Sequence, residues 1–303
     1  MLGDSCVRQR TEAICAAAYT CAMATFATRW VWAGSTLRGA RWLPSWTALV
    51  LAGLGLGQPL AAWAELSNDT LLGLGVRSRP AHDGSDTQRS ELVPVVRYLG
   101  RPWFLRSTQG LLEGGLRAEV TPGLHAGVQL AYEPGRAASE SGYLQSHQLG
   151  DIQRGASLGL QMEWDHSFGP MPVTLLGRWR QHTRTDLGAQ ADLRLSAGVF
   201  QSGRVGAGLF TQATWANAKS AGAFYGITPQ QSALTGLPEF GAAGGLMSAS
   251  FGLLWSVELS RDWIVVGSLE ARRLQGDAAR SPWAERASNH YVSAGLAYRF
   301  QGL

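Results

Sequence analysis

The feature that most constrains the fold of this chain is a strict alternation of apolar and polar side chains, repeated along much of its length. The apolar residues occupy the even positions in 156–164 and the odd positions in 191–199. The segment 249–259 alternates in the same way, except at Leu254. A period of two sustained over such segments predicts β-strands. Strands of about 9 to 11 residues are also long enough to cross a lipid bilayer at a tilt.

Segments of this kind predict about twelve strands, and therefore an all-β fold. We place them near residues 69–77, 89–99, 102–109, 111–120, 124–133, 153–164, 172–182, 188–200, 204–216, 246–259, 263–273 and 289–301. The stretch 102–120 is the least certain part of this strand assignment, because it fits either a hairpin or one irregular strand. A hairpin keeps short and long connections in alternation and favours twelve strands. Ten strands are the alternative if the first elements do not join the wall.

The connections between these segments alternate between short and long. Short ones lie near 100–101, 121–123, 166–170, 201–203 and 260–262, and long ones near 78–88, 135–151, 217–245 and 275–288. Short turns on one side and long loops on the other are typical of a transmembrane antiparallel up-and-down β-barrel in a Gram-negative outer membrane. The last segment ends in Tyr298 and Phe300, an aromatic-x-Phe ending that resembles the assembly signal of such barrels.

Alternation alone does not say which face of the wall points to lipid, but the distribution of charges and aromatics does. Charges occur on the polar faces and are expected to share a hydrated lumen: Arg178, Arg180, Asp192, Arg194 and Glu270. Aromatic residues near strand ends occur on the apolar faces: Tyr132, Trp164, Trp179, Trp215 and Trp263. This is the position of the interfacial aromatic girdles of membrane barrels. The apolar faces are therefore expected to contact membrane lipid.

The first 64 residues are typical of a leader that contains a signal peptide. Arginines precede an apolar run at 47–64, and this run ends in Ala62-Trp63-Ala64, directly before Glu65. Charge, apolar run and a small-x-small site follow one another in this order in secretory signals. We therefore expect cleavage before Glu65, with residues 65–303 forming the barrel. An uncleaved membrane anchor is the alternative, although the run is short for a spanning helix.

Cysteine usage and charge exclude several classes of function. All three cysteines, Cys6, Cys15 and Cys21, lie in the leader. The barrel part therefore has no disulfide scaffold, no thiolate zinc site and no cysteine nucleophile. The formal net charge of +4 comes largely from the leader. Because the barrel part is close to neutral, nucleic acid is not expected as a partner.

The longest loop contains unusually complete helix signals in the segment FYGITPQQSALTGLPEF, residues 224–240. Thr228 suits the N-cap, and Pro229 suits the first helical position, where its missing N–H costs nothing. Gln231 lies three residues after the cap and completes a capping box. Glycine and proline follow as stop signals. The sequence therefore predicts a short helix over 229–235.

Apolar residues around this helix predict that the loop is folded. They are Phe224, Tyr225, Leu234, Leu237 and Phe240. An isolated helix of this length is unstable in water because nucleation is costly, so it has to gain stability by packing. We therefore expect the segment to fold over the barrel mouth or into the lumen, as a lid or plug.

The same segment resembles the loop motif of the family of MltA-interacting proteins, also called the MipA/OmpV family. The matching residues are Tyr225, Gly226, Thr228, Pro229, Gln231, Gly236, Leu237, Pro238 and Phe240. The stretches 73–98 and 274–300 are similar to the first and closing hairpins of that family. His82 departs from the aromatic residue usually found at its position.

The resemblance implies an outer-membrane location and carries no catalytic residue. The namesake of the family bridges a lytic transglycosylase and a bifunctional penicillin-binding protein in the machinery that builds peptidoglycan. The resemblance implies these two enzymes as partners and makes a scaffold or adaptor for peptidoglycan-remodelling enzymes of the cell envelope the first hypothesis. A small porin-like channel is the second hypothesis, and a surface adhesin or receptor is the third.

Inspection of individual residues predicts no catalytic, cofactor-binding or metal site. His82, Asp83 and Asp86 form the best constellation, because an acid beside an imidazole can activate water. The Asp-Gly and Ser-Asp pairs in this stretch are equally typical of turns, and no partner residues are identifiable. We therefore expect no enzyme activity, no cofactor and no metal ion.

Overall fold

A computed structural model describes residues 69–148 and 150–300. The predicted leader and its cleavage site lie outside these residues. Alternating segments within this part of the chain form twelve strands, as the sequence predicts. They are β1 Thr70–Pro80, β2 Gln88–Leu99, β3 Trp103–Thr108, β4 Leu111–Thr121, β5 Leu124–Glu133, β6 Gly155–Phe168, β7 Met171–His182, β8 Ala189–Ser202, β9 Val205–Ala216, β10 Gly245–Glu258, β11 Trp263–Leu274 and β12 Ser288–Phe300.

Each strand pairs antiparallel with its sequence neighbours, and β1 pairs with β12 to close a barrel. The closing ladder runs from Thr70↔Phe300 to Ser78↔Val292. The uncertain stretch 102–120 forms a hairpin with its turn at residues 109–110. The alternative of ten strands is therefore wrong.

The connections divide the barrel into two ends. The turn end carries connections of two to four residues, at 100–102, 122–123, 169–170, 203–204 and 259–262. The loop end carries the turn at 109–110 and the loops 81–87, 134–154, 183–188, 217–244 and 275–287. This arrangement confirms the asymmetry that the sequence predicts.

Four short α-helices lie at the loop end among the described residues: α1 Gly142–Ser146, α2 Ala218–Tyr225, α3 Pro229–Thr235 and α4 Gly276–Arg280. The sequence predicts α3, and α1, α2 and α4 were missed. Asn217 starts α2, because its side chain accepts a hydrogen bond from the backbone N–H of Ser220 at 2.9 Å. In the described part of the chain, no helix combines the length and the apolar character that crossing a membrane requires.

Strand register confirms which side chains face the interior of the barrel. The charged residues expected there are all buried on the inner face of the wall: Arg178, Arg180, Asp192, Arg194 and Glu270. Four of them lie on the paired strands β7 and β8. Arg178 and Asp192 are each 5% exposed. The apolar residues between them, such as Leu193, are exposed on the outer face.

Aromatic residues follow the same rule. Those that the sequence places on the apolar faces lie on the outside of the barrel in the ladder register. Tyr132, Trp179, Trp215 and Trp263 are exposed there. The wall is thus apolar outside and charged inside, as in a barrel that faces lipid.

Candidate functional site: the loop cap and the lumen

Loops 81–87, 134–154, 217–244 and 275–287 fold together over the loop end, and we call this group the loop cap. Its centre is Trp283, which is 2% exposed. The indole Nε1–H of Trp283 donates a hydrogen bond to the carbonyl oxygen of Gly226 at 2.6 Å. The hydroxyl of Ser281 donates to the carbonyl oxygen of Tyr225 at 2.6 Å. These bonds tie loop 275–287 to loop 217–244.

A third loop joins at the same place. The hydroxyl of Tyr143 donates a hydrogen bond to the carbonyl oxygen of Pro282 at 2.8 Å. Leu144, beside it in α1, is fully buried in an apolar cluster with Ile227 and Trp283. Burial of several apolar side chains from three separate loops stabilises the cap as one unit, because each removes apolar surface from water.

Backbone hydrogen bonds join the two ends of segment 224–240, which resembles the family motif. Ile227 and Phe240 exchange N–H···O bonds of 2.8 and 3.1 Å, so the two ends of the segment form a short bridge. Leu237 and Phe240 pack against the cluster around Trp283. The hydroxyl of Ser232 donates to the carbonyl oxygen of Leu237 at 2.7 Å, which holds the chain after the helix.

Helix α3 has the caps that the sequence predicts. The hydroxyl of Thr228 accepts a bond from the backbone N–H of Gln231 at 3.2 Å. The side chain of Gln231 accepts one from the backbone N–H of Thr228 at 2.9 Å. Pro229 is the first helical residue, and Gly236 ends the helix with φ of 72°, a left-handed conformation that favours glycine.

The packing of this helix differs from the expectation. Helix α3 has no buried residue, and Leu234 is 68% exposed, so the assignment of Leu234 to the packed side is wrong. Pro238 is also exposed. The flanking residues do the packing instead, because Ile227 and Phe240 are the ones that the bridge turns towards Trp283.

A second apolar cluster fastens the cap to the rim of the barrel. It contains Ala221 of α2, Ala278 of α4 and the strand residues Ala216, Met247 and Leu274. Tyr225 and Phe240 pack against it and thereby join the two clusters. Burial strongly raises the pKa of the Tyr225 hydroxyl, so this group stays neutral.

The charged groups of the cap are engaged in its structure. The guanidinium of Arg136 lies 4.6 Å from the ring centre of Trp283, and burial lowers its pKa to about 10. The Nε2–H of His82 donates a hydrogen bond to the carbonyl oxygen of Trp283 at 3.3 Å. Burial lowers the pKa of His82, and the nearby charge of Arg136 lowers it further.

The acid beside His82 has other partners. Asp83 accepts bonds from the hydroxyl of Tyr291 and from the guanidinium of Arg272, the latter at 3.0 Å. Burial alone would raise the pKa of Asp83, but the charge of Arg272 and these bonds lower it. Asp83 is therefore an ion-pair partner of the wall. Among residues 69–148 and 150–300, no group of three or more His, Cys, Asp or Glu could hold a metal ion.

Below the cap, an ionic network of buried side chains lies inside the lumen. Arg106 pairs with Glu113 at 2.6 Å and also with Glu163. Arg178 bridges Glu113 at 3.2 Å and Asp192 at 3.3 Å. Glu113 is 1% exposed, so this charge is fully removed from water and is compensated by its arginine neighbours.

The network continues towards the loop end and across the lumen. Arg180 joins Asp192 at 3.2 Å to Glu133 at 2.8 Å. On the opposite wall, Arg272 pairs with Glu270 at 2.9 Å. Paired charged side chains therefore project into the lumen below the cap from several strands.

Beside this network, the lumen holds a cavity of about 560 Å³. Its walls extend from Glu270 and Tyr291, below the cap, to Pro122 and Gly123 in a connection at the turn end. A cavity of this size falls in the range of small-molecule sites, about 300 to 1,000 Å³. The cavity therefore runs along the barrel from below the cap to the turn end.

The sequence predicts the loop motif but not the central residue of the loop cap, Trp283. Trp283 lies in a stretch that resembles the closing hairpin of the family, and no local pattern marks it as buried. A tryptophan inside a polar loop, directly after Ser281-Pro282, is the one signal that could have pointed to it. Its partners lie more than fifty residues away in the sequence.

A family model described as "MltA-interacting protein MipA" matches residues 72–300. The chain belongs to this family. Membership and the closed twelve-stranded barrel of the described residues identify an outer-membrane barrel protein. The short turns of a MipA-family barrel then face the periplasm, and the loop cap faces outward.

Solved structures are similar to this chain at low identity. An outer membrane channel from Pseudomonas putida F1 is 10% identical, with a TM-score of 0.41, over 77% of this chain and 96% of that one. LpxR from Salmonella typhimurium is 10% identical, with a TM-score of 0.36, over 75% and 100%. A bacterial polysaccharide outer membrane secretin is 11% identical, with a TM-score of 0.37, over 77% and 99%. No curated protein matches the sequence.

Proposed function

We propose that this MipA-family barrel is a non-enzymatic scaffold that holds peptidoglycan-remodelling enzymes at the outer membrane. The family description names a protein that interacts with MltA, a lytic transglycosylase. We extend this partner class to the present chain, together with a penicillin-binding protein. Enzymes of both kinds act on peptidoglycan, which lies on the side of the turn end.

The observation that carries the proposal is the closure of the outward end. Loops bury Trp283 and Leu144 over the mouth, and charged side chains such as Glu113 lie inside the lumen beneath them. A barrel closed in this way offers little passage to solutes, whereas its turn end stays accessible from the periplasm. A binding role at the turn end is what this asymmetry supports best.

The structure also supports a role without catalysis. His82 and Asp83, the best candidate pair from the sequence, bond to the carbonyl oxygen of Trp283 and to Arg272, respectively. Asp83 is held by Arg272 and Tyr291, and Nδ1 of His82 is buried away from solvent, which supports a structural role for this pair.

The turn end presents a surface on which partners could be found. Arg204 and Arg261 are exposed on neighbouring turns. The turns are linked, because the backbone N–H of Glu258 donates to the carbonyl oxygen of Arg204 at 2.8 Å. The two arginines are therefore suitable positions for a probe that reports contacts in the periplasm.

Photo-crosslinking in intact cells tests the proposal. A photoreactive amino acid replaces Arg204 or Arg261 at the turn end, and Gln230 or Ala233, exposed in α3, serves as the matched control. We expect adducts with a lytic transglycosylase or a penicillin-binding protein from the turn-end positions only. Adducts with these enzymes from the α3 positions alone, or from neither pair, would contradict a periplasmic scaffold.

A small channel is the second candidate function. The cavity of about 560 Å³ and the charged interior of the barrel favour it. It requires the cap to open, since Trp283 and its neighbours cover the outward end. The third hypothesis, a surface adhesin or receptor, depends on exposed cap residues such as those of α3.

We also propose two features of export and assembly. Cleavage before Glu65 would release the barrel part, and N-terminal sequencing of the mature protein tests it. Tyr298 and Phe300 lie on the outer face of β12, next to Trp263, with ring distances of 4.9 Å between the first two and 5.4 Å from Tyr298 to Trp263. This exposed aromatic edge supports a role as an assembly signal.

A further inference from the structure

The barrel wall is incomplete between β2 and β3. These strands share three register pairs, from Arg97↔Arg106 to Leu99↔Phe104. On its other side β2 stays paired with β1 as far as Pro80↔Gln88. In the part of the chain that the structure describes, residues 88–95 of β2 therefore have no strand beside them on the β3 side. We call this opening the β2–β3 gap.

The β3–β4 hairpin does not fill this gap, because its tip turns into the lumen. The side-chain amide of Gln109 donates to Glu270 on β11 at 2.9 Å. The next residue, Gly110, lies against the side chain of Arg77 from β1, since a Cβ there would be 1.9 Å from Nη1 of Arg77. Where the ladder stops, the hydroxyl of Ser107 accepts a bond from the backbone N–H of Val96 at 3.1 Å.

The gap lies at the depth of the lipid-facing band. Leu92 on β2 is 78% exposed, and Leu74 on β1 and Leu105 on β3 are also exposed on the outer face. An open sheet edge is not tolerated against hydrocarbon, but it is tolerated where it lines a hydrated cavity. The cavity is lined by Val93, by Val96 and by the hairpin tip, so it reaches the gap.

An apolar patch lies inside the lumen beside the gap. Leu71, Ile264 and Ala297 are buried together, and Val95 and Val266 pack against them. Val95 reaches across β1 to β12, since a Cβ on Gly295 of β12 would lie 2.6 Å from its Cγ2. Such an apolar patch is unusual inside a membrane barrel, whose interior is ordinarily charged and polar.

Charged and polar groups lie close to this patch. Arg77 and Arg97 line the same cavity, as do Ser107 and Thr108. An apolar floor, a basic and hydroxyl-bearing wall and a side opening towards lipid together match one class of ligand. This is an amphiphile with a single acyl chain and an anionic head.

We propose that the β2–β3 gap is a lateral portal, through which the acyl chain of such an amphiphile passes between the bilayer and the cavity. The chain lies on the patch formed by Leu71, Val95 and Val266, and the carboxylate or phosphate head lies near Arg77 and Arg97. A free fatty acid and a single-chain phospholipid share this chemistry. The portal does not depend on the scaffold role proposed above.

Photoaffinity labelling of the full-length protein in outer-membrane vesicles tests the portal. The probes are a palmitic acid and a lysophospholipid, each carrying a diazirine in the acyl chain. We expect adducts on inward-facing residues of β1 and β2, such as Leu71, Val93 and Val95. A fatty-acid adduct alone, a lysophospholipid adduct alone or both would support the portal and identify the source of the head group. Adducts confined to lipid-facing residues such as Leu92, or none on the protein, would overturn it.

A pair of variants on neighbouring residues makes the test specific. Val93→Trp fills the gap from inside, whereas Leu92→Trp places the same side chain on the lipid-facing side of the same strand. We expect Val93→Trp to lower the yield of adducts on Leu71 and Val95 about tenfold, because the indole occupies the space through which the acyl chain would pass. Leu92→Trp should leave the yield unchanged. Equal yields in the two variants, both shown to be folded by heat-modifiable migration, would contradict the portal.

Discussion

The two ends of this barrel belong to the same antiparallel wall but differ in the length and folding of their connections. At the turn end, connections of two to four residues border a cavity of about 560 Å³ that extends up the lumen. At the loop end, four loops fold around Trp283, and an ionic network lies inside the lumen below them. The loop end is therefore covered by folded loops, whereas the turn end has no loops to cover it.

The difference has a physical origin in the loops. Short turns leave no chain to cover the mouth, whereas the long loops bring helices that are too short to be stable alone. These helices are stabilised by the two apolar clusters around Trp283 and Leu274. The cap is therefore a tertiary structure, whereas the wall is held by the hydrogen-bond ladders of its strands.

The largest effect is expected from removing Trp283, the central residue of the loop cap. Trp283→Ala deletes a buried indole and its bond to Gly226, so we expect the cap to lose about 3 to 5 kcal/mol of stability. Proteolysis from outside intact cells should then cut loops 217–244 and 275–287, while the wall keeps its heat-modifiable migration. Trp179→Ala, which removes an exposed tryptophan of the outer face, is the control. Equal protease resistance in both variants would contradict a cap held by Trp283.

The ionic network offers the next test, and it separates the wall from the cap. Glu113→Gln removes the charge that Arg106 and Arg178 share, which leaves buried charge uncompensated. We expect the free energy of unfolding of the barrel to fall by about 3 kcal/mol, as for other broken buried pairs. The urea midpoint of the purified barrel measures it, and Glu239→Gln in an exposed loop position is the control. An unchanged midpoint would mean that the network does not stabilise the wall.

A pH test addresses the cap alone. His82 is buried with a lowered pKa, and its neighbours Arg136, Asp83 and Asp86 shift it in opposite directions. When the cap opens, the pKa returns to its ordinary value of about 6.5, so the open cap binds more protons. The stability of the closed cap is thus highest above about pH 6.5 and falls as the pH drops from there through the folded pKa.

Protease sensitivity measured between pH 7.5 and pH 5 checks this dependence, since sensitivity of the wild-type cap should rise towards acid. The variant His82→Phe has no group to protonate at this position and should lose much of the dependence. If both proteins respond to pH equally, another group is responsible.

The smallest effect is expected at the helix cap. Thr228→Ala removes the acceptor for the backbone N–H of Gln231 and should cost about 1 kcal/mol. Cleavage near α3 should become faster than in wild type but slower than in Trp283→Ala. Gln230→Ala, at an exposed position of the same helix, is the control. A wild-type loop that is already cut as fast as the Thr228 variant would show that the segment is not folded in the membrane.

The wall could be predicted from sequence because its signals are local and repetitive. Alternation assigns each side chain to one face, and this assigned Arg178 and Asp192 to the lumen and Leu193 to lipid correctly. Even the ambiguous stretch 102–120 was decided by the alternation of turns and loops. The end of β3 at Thr108, which leaves the β2–β3 gap, has no such signal.

The cap could be predicted only where its signals were local. Helix α3 carries its own capping box and stop residues, so the sequence located it. Helices α1, α2 and α4 depend on contacts between distant loops, and so does the burial of Trp283. The error at Leu234 has the same cause, because an apolar residue on a short helix does not say which side faces the barrel.

Single-channel recording in planar bilayers tests the central claim, the closure of the outward end, most directly. We expect the wild-type protein to be silent or to show rare, brief openings, because the cap and the ionic network block the lumen. Trp283→Ala should conduct more often, and Trp179→Ala should behave as wild type. A steady, open conductance of the wild-type protein, unchanged in Trp283→Ala, would contradict closure and favour a channel over a scaffold.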